Sequence, residues 1–156
     1  MDTDAPALTD DPRNRGVLDY LAARAPGSAV LQRPEATRTP YLGSGSHPDI
    51  VERVWKGLST ALPEDCRAMV HGTPALVHPV SGLVLAVAIG TQYAVRLRAA
   101  DLPAATARGA KTSTRWSGGD TLDVREALGA DWILGGWMPE EPTWVGACFF
   151  EESPGR

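Results

Sequence analysis

Long apolar segments are missing from this chain of 156 residues. No stretch approaches the roughly 20 apolar residues that a membrane-spanning helix needs, so the sequence predicts no membrane partner. The segment 1–15 is acidic and contains proline without an apolar centre, which is not the pattern of a secretory signal peptide. We therefore expect the protein to be cytoplasmic.

Cysteine is also scarce, and the residue types that bind metals are scattered. Cys66 and Cys148 form no CxxC motif, which favours two buried or half-buried free thiols over a metal site or a disulfide. His47, His71 and His78 show none of the HxH or HExxH spacings that metal sites use. The sequence therefore predicts neither a metal site nor a cofactor.

Positive charge is in deficit, and lysine is rare. The net charge is −4 and the isoelectric point is near 5.3, whereas a dedicated nucleic-acid binder is usually basic. The excess of arginine over lysine, in a chain rich in alanine and glycine, is typical of a GC-rich bacterial genome. The charge argues against a nucleic-acid partner. The alternative is weak binding by an arginine face formed by Arg96, Arg98, Arg108 and Arg115.

The chain does contain a clear sheet centre between Thr73 and Arg98. Leu83–Ile89 is a nearly continuous apolar run, which predicts a strand covered on both faces. The segment after it alternates between apolar and polar faces, as a second strand does. Gly82 and the pair Gly90–Thr91 supply the hairpin turns.

The order of elements predicts an α+β fold. We expect an antiparallel sheet of four to six strands, with helices on one face or at its end, plus an N-terminal helical arm. Residues 1–12 have the composition of a disordered tail. Residues 13–45 comprise the arm and a linker rich in proline and glycine, and residues 46–152 comprise the α+β domain. The arm either packs on this domain or reaches a partner.

Local signals place the remaining elements. Ser46 is predicted to cap a helix that ends at Pro63. A hairpin is predicted around Gly118–Asp120 and a final strand over Asp131–Trp137. The segment 143–152 fits a helix or a strand equally well, because its apolar residues follow neither period clearly.

Catalytic motifs are weak. Gly43–Ser46 leads into a helix as phosphate-binding loops do, but the Walker lysine and a preceding strand are missing, which favours a capped linker. Carboxylates are plentiful without a spacing that pairs them, so no catalytic residue is predicted. The enzymatic alternative pairs His71 or His78 with Asp123 or Asp131 as acid and base.

Tryptophan is concentrated near the C-terminus, where three of the five tryptophans follow Trp116 within a short segment. Core packing explains such residues, and so does a binding surface, because tryptophan is enriched in interface hot spots. The paired glycines Gly135–Gly136 would leave a shallow depression that a partner backbone can approach. With two arginines of the predicted face, the candidate binding residues are Trp132, Trp137, Trp144, Arg96 and Arg98.

One segment, 72–102, combines Gly72-Thr73-Pro74, the Leu83–Ile89 strand, a return strand with Gly90, Tyr93, Arg96 and Leu97, and a helix after Asp101. This order resembles the small TfoX N-terminal and YjbR/MmcQ-type domains. The resemblance covers about a fifth of the chain. It implies a compact α+β domain without an established catalytic centre, in families associated with regulation or, loosely, with nucleic-acid contact.

Taken together, the sequence predicts a non-enzymatic binding or protein-interaction module. It lacks a catalytic constellation, and its C-terminal segment is rich in tryptophan and glycine, which suits contacts. The expected partner is another protein or further copies of the same chain. A small-molecule enzyme with a His/carboxylate pair and a weak nucleic-acid-binding regulator are the alternatives.

Overall fold

Eight strands and five helices make up the described part of the protein. The computed structural model describes residues 12–25, 27, 30–32, 47–60, 62–115 and 121–152. The strands are β1 Leu31–Gln32, β2 Arg67–Val70, β3 Thr73–Val77, β4 Val84–Ile89, β5 Gln92–Arg96, β6 Ser113–Arg115, β7 Thr121–Asp123 and β8 Trp132–Leu134. The helices are α1 Pro12–Arg24, α2 Pro48–Glu52, α3 Leu102–Ala107, α4 Val124–Ala127 and α5 Glu141–Glu152.

Six of the strands form one antiparallel sheet in the order β1-β2-β3-β4-β5-β8, while β6 and β7 pair as a separate hairpin. The α+β class and the six-stranded sheet confirm the predicted fold class. The meander depends on tight turns. At the β2–β3 turn His71 and Gly72 have φ values of +48° and +75°, the positive values that a two-residue hairpin loop needs.

Helices cover both faces of the sheet, whereas the sequence predicted one face or an end. On one face α2 and α5 contribute Val51 and Val145 to the core. On the other face α1 and α4 contribute Leu21 and Val124. The central strand Val84–Ile89 is buried along its whole length, as its continuous apolar run indicated, and a strand of that kind requires a layer on each side.

The N-terminal arm packs on the sheet through a buried polar contact. The side-chain amide of Asn14 donates to the carbonyl of Gly82 (2.9 Å) and accepts from the amide of Val84 (3.0 Å). Beside it, the buried Arg96 donates to the Val84 carbonyl (2.7 Å) and pairs with Asp131 (2.8 Å). Of the two placements predicted for the arm, the structure shows the one on the domain.

Several local predictions need correction at their ends. The N-cap of α2 is His47, whose Nδ1 accepts from the amide of Asp49 (3.1 Å). The α-helix ends at Glu52, well before Pro63, because a wider turn follows it. The last strand is shorter than 131–137, and the segment 143–152 lies within the helix α5.

Some predictions fall outside the described residues. These are the tail up to residue 11, the linker with its Gly43–Ser46 loop, Trp116 and the turn at Gly118–Asp120. The strands on either side of that turn pair antiparallel, as the hairpin prediction requires. None of the helices in the described part of the chain has both the length and the apolar character needed to cross a membrane.

Candidate functional site

Two departures from regular backbone meet at one point of the surface. After α2 the chain makes a π-helical turn, Arg53–Gly57, in which the amide of Leu58 donates to the carbonyl of Arg53 (2.7 Å). After β8, Trp137 has a φ of +60°, in the left-handed region that bulky residues rarely enter. The Arg53 guanidinium lies 5.2 Å from the centre of the Trp137 ring. Both kinds of irregularity are enriched at functional sites.

A buried polar cluster of Arg53, Tyr93 and Glu141 supports this point. Arg53 donates to Glu141 Oε1 (2.8 Å) and to the Tyr93 hydroxyl (3.2 Å), and the Tyr93 hydroxyl donates to Glu141 Oε1. The Glu141 side chain is fully buried and the Arg53 side chain is only 14% exposed. Because the partners are charged and held away from water, each depends strongly on the others.

The cluster also fixes the loop that carries Trp137. The Tyr93 hydroxyl accepts from the amide of Trp137 (2.7 Å), and Glu141 Oε2 accepts from the amide of Gly136 (2.7 Å). Arg53 donates to the carbonyl of Met138 (3.1 Å). Three consecutive residues of the loop are therefore tied by their backbone to side chains of three different elements.

The protonation states of the cluster follow from its contacts. Burial, and then the hydrogen bond to Glu141, raises the pKa of Tyr93, so the phenol stays protonated. Its single donor and two acceptor positions are all used. Burial alone would lower the pKa of Arg53, but the hydrogen bonds that it donates to Glu141 and Tyr93 raise this pKa overall. The guanidinium therefore stays charged. Tyr93 and Arg53 therefore both keep their protons at neutral pH while they position the loop.

Trp137 itself is displayed at the surface. Its side chain is 55% exposed, and its ring meets the Tyr93 ring edge-on with the centres 5.6 Å apart. The adjacent Gly135 has no room for a side chain, because a Cβ there would overlap the Tyr93 ring. The chain therefore approaches Tyr93 closely at Gly135 and turns outward at Trp137.

The other predicted binding residues are placed differently. Trp132 is fully buried beside Arg96, whose guanidinium lies 4.9 Å from the centre of the indole. Trp144 is 8% exposed and packs in the core on the α5 face. Arg96 belongs to the contact that holds α1, and Arg98 pairs with Asp101 (2.9 Å). Among the three C-terminal tryptophans, only Trp137 is exposed.

Three arginines of the predicted face, Arg96, Arg98 and Arg108, have described side chains, and each has a partner within the chain. Arg96 is buried, and Arg98 and Arg108 each pair with a carboxylate, Asp101 and Glu140 respectively. Phosphate binding relies on basic side chains that are open to the nucleic acid. Only the buried Arg96 is closed to a phosphate, whereas Arg98 and Arg108 are partly exposed and carry local ion pairs.

Three residues of the predicted histidine and carboxylate pairs, His78, Asp123 and Asp131, make other contacts. His78 is buried, stacks on Phe149 at 4.4 Å, and accepts from the amides of Val80 and Ser81 at Nδ1. Asp131 pairs with Arg96, and Asp123 caps α4. The structure thus gives His78 and both carboxylates structural contacts. Within the described ranges, no group of three His, Cys, Asp or Glu side chains could hold a metal ion.

Both cysteines are buried thiols. Burial, with a smaller contribution from the charge of Asp65, raises the pKa of Cys66 from 9.0 to about 12. The folded protein therefore keeps a proton that the unfolded chain loses once the pH passes 9.0. A thiol in this state is a poor nucleophile at neutral pH.

We expect the free energy of unfolding to fall as the pH rises between 9.0 and about 12, because the unfolded chain then binds fewer protons than the folded one. Urea denaturation across this window should show a shallower fall for Cys66→Ala than for the wild type. A residual slope from Tyr93, whose pKa is also raised, should remain. Equal slopes for the two proteins would contradict the assignment to Cys66.

Three residues of this site were not singled out by sequence reasoning. Arg53, Tyr93 and Glu141 are 40 to 88 positions apart in the pairs that bond, and no local motif joins them. The one sequence signal near them was the Gly135–Gly136 pair, which was expected to leave a depression for a partner backbone. At Gly135 the ring of Tyr93 from the same chain fills that space.

Comparisons with known proteins give no further guide: no family model, no curated protein and no solved structure matches this chain. The resemblance to the TfoX N-terminal and YjbR/MmcQ-type domains stays a prediction that rests on the segment 72–102 alone.

Proposed function

We propose that this protein is an interaction module that presents Trp137 as an anchor for a second protein. The observation that carries the proposal is the left-handed backbone of Trp137, which keeps a half-exposed indole at the surface. A glycine would adopt this conformation without strain. The position nevertheless holds the largest apolar side chain, of the type most enriched in interface hot spots.

The energetics within the chain do not account for the indole. A left-handed conformation costs a non-glycine residue about 1–2 kcal/mol. The edge contact with Tyr93 and the cation–π contact with Arg53 return about the same amount. Because these contributions roughly cancel, they give no net stability that would favour a tryptophan at this position. We therefore assign the indole to contacts outside the chain.

The support beneath the indole is pre-organised. The amide of Trp137 is held by a hydroxyl whose other positions are occupied by Arg53 and Glu141. A rigid anchor loses little conformational freedom when it binds, which is how pre-organised surfaces gain affinity. The partner we expect offers an apolar side chain to the indole and a hydrogen-bond acceptor to its N–H.

Trp137→Gly should separate binding from folding. The substitution removes the indole and also relieves the left-handed strain, so we expect the free energy of unfolding to stay within about 1 kcal/mol of the wild type. Binding to the partner should weaken at least about 30-fold, which corresponds to the 2 kcal/mol that defines a hot spot. Affinity capture from the native lysate, followed by titration with the purified partner, measures both quantities.

The matched control is Val80→Ala, which trims another exposed apolar residue, in the β3–β4 connection. It should bind as the wild type does. Equal capture of the same protein by Trp137→Gly and wild type would contradict the proposal. So would a wild-type protein that is monomeric in sedimentation and retains no other protein in stoichiometric amount. A dimer that sedimentation detects in the wild type and not in Trp137→Gly would identify the partner as a second copy.

A further inference from the structure

A cleft of about 390 Å³ lies at the edge of the sheet, near the loop that carries Trp137. The segment after α3 forms one wall and is tied to β8, since the amide of Leu134 donates to the carbonyl of Lys111 (2.9 Å). The lining also includes Leu134, Gly136 and Met138. The volume falls in the range of small-molecule sites.

Hydrogen-bond donors converge on this cleft. Its lining residues include four with donor side chains, Gln92, Arg108, Lys111 and Ser113. Each can donate a hydrogen bond, and two of them carry positive charge. No carboxylate occurs among the described residues that line it, although the chain as a whole has a net charge of −4. The cleft is therefore a locally basic place on an acidic protein, which favours an anionic ligand.

One neighbouring carboxylate moderates this charge. Glu140 pairs with Arg108, and the side chains are 38% and 48% exposed. Surface pairs of this kind are weak and are readily exchanged. An incoming anion would therefore compete with Glu140 for Arg108, while Lys111 offers a second cation on the same wall.

We propose that the cleft binds a small organic anion, a carboxylate or a phosphate ester with an apolar body. The donors Gln92, Lys111 and Ser113, with Arg108, receive the anionic group, and Leu134 and Met138 contact the apolar part. This site is separate from the proposed protein interface, because the indole of Trp137 does not line the cleft.

The test is an NMR titration of the labelled protein with benzoate, with phenyl phosphate and with benzamide, the neutral isostere of benzoate. We expect saturable shifts at the amides of Lys111, Ser113 and Gly136 with at least one charged probe and none with benzamide. The charged probe that binds more tightly distinguishes a carboxylate from a phosphate ester. Saturation by benzamide as well, or by none of the three at millimolar concentration, would overturn the proposal.

Two variants with opposite expected effects sharpen the test. Lys111→Gln should weaken binding of the charged probe about fivefold, as expected for the loss of one nearby charge in water. Glu140→Gln should strengthen binding, because it releases Arg108 from its competing partner. Unchanged affinity in both variants would contradict the assigned donors. Trp137→Gly should bind the probe as the wild type does. The cleft proposal can therefore fail while the protein-interaction proposal holds, and the protein-interaction proposal can fail while the cleft proposal holds.

Discussion

Replacement of Glu141 by alanine is expected to lower the free energy of unfolding by about 3–5 kcal/mol, because it removes one partner of a buried ion pair. The substitution would leave the Arg53 guanidinium without its counter-charge. It would also orphan the Tyr93 hydroxyl proton and the amide of Gly136. Urea denaturation followed by far-UV circular dichroism gives the free energy of each variant.

The neighbouring carboxylate provides the matched control. Glu140 belongs to an exposed pair with Arg108, so Glu140→Ala should cost less than about 1 kcal/mol. Adding Arg53→Met to Glu141→Ala removes the unpaired charge as well, so the double variant should lose less than the sum of the two single losses. A loss at Glu141 no larger than the loss at Glu140 would contradict the description of the cluster.

Gly135→Ala is expected to destabilise the protein by about 3 kcal/mol, at the upper end of the range for overpacked cores. A Cβ at this position would overlap the ring of Tyr93. Tyr93 cannot move aside easily, because its ring lies in the core and its hydroxyl contacts Arg53, Glu141 and Trp137. Thermal or urea unfolding measures the loss.

The adjacent glycine again supplies the control. A Cβ at Gly136 would lie 3.7 Å from Met138 Cε and 3.9 Å from Glu141 Oε2, which are ordinary contacts. Gly136→Ala should therefore change the free energy of unfolding by no more than about 0.5 kcal/mol. Similar losses for the two alanine variants would show that the close approach to Tyr93 does not determine the requirement for glycine.

The sheet was accessible to sequence reasoning because its signals are local. The apolar run of β4 and the glycines at its turns predicted a meander whose strands pair with their sequence neighbours. The segment that forms α5 was ambiguous, since it is apolar on more than one side and contains Gly146 in its interior. Only its position on the finished sheet decides in favour of a helix.

The site was not accessible in the same way. The sequence offered three tryptophans alike as candidate binding residues. Trp137 differs from Trp132 and Trp144 in its exposure, which depends on a backbone angle that composition does not reveal. Arg53 and Glu141 are ordinary charged residues until the fold brings together positions 88 apart. Long-range polar contacts of this kind have no period or spacing that a sequence displays.

The attachment of α1 has a consequence for how the protein is made. Asn14 leaves the ribosome well before its acceptor and donor, which belong to Gly82 and Val84, and the Arg96 beside it pairs with the still later Asp131. The helix therefore cannot complete its contacts until most of the chain has been synthesised. Until then the sheet face that α1 covers is exposed, and this nascent protein is the form on which aggregation and chaperones act.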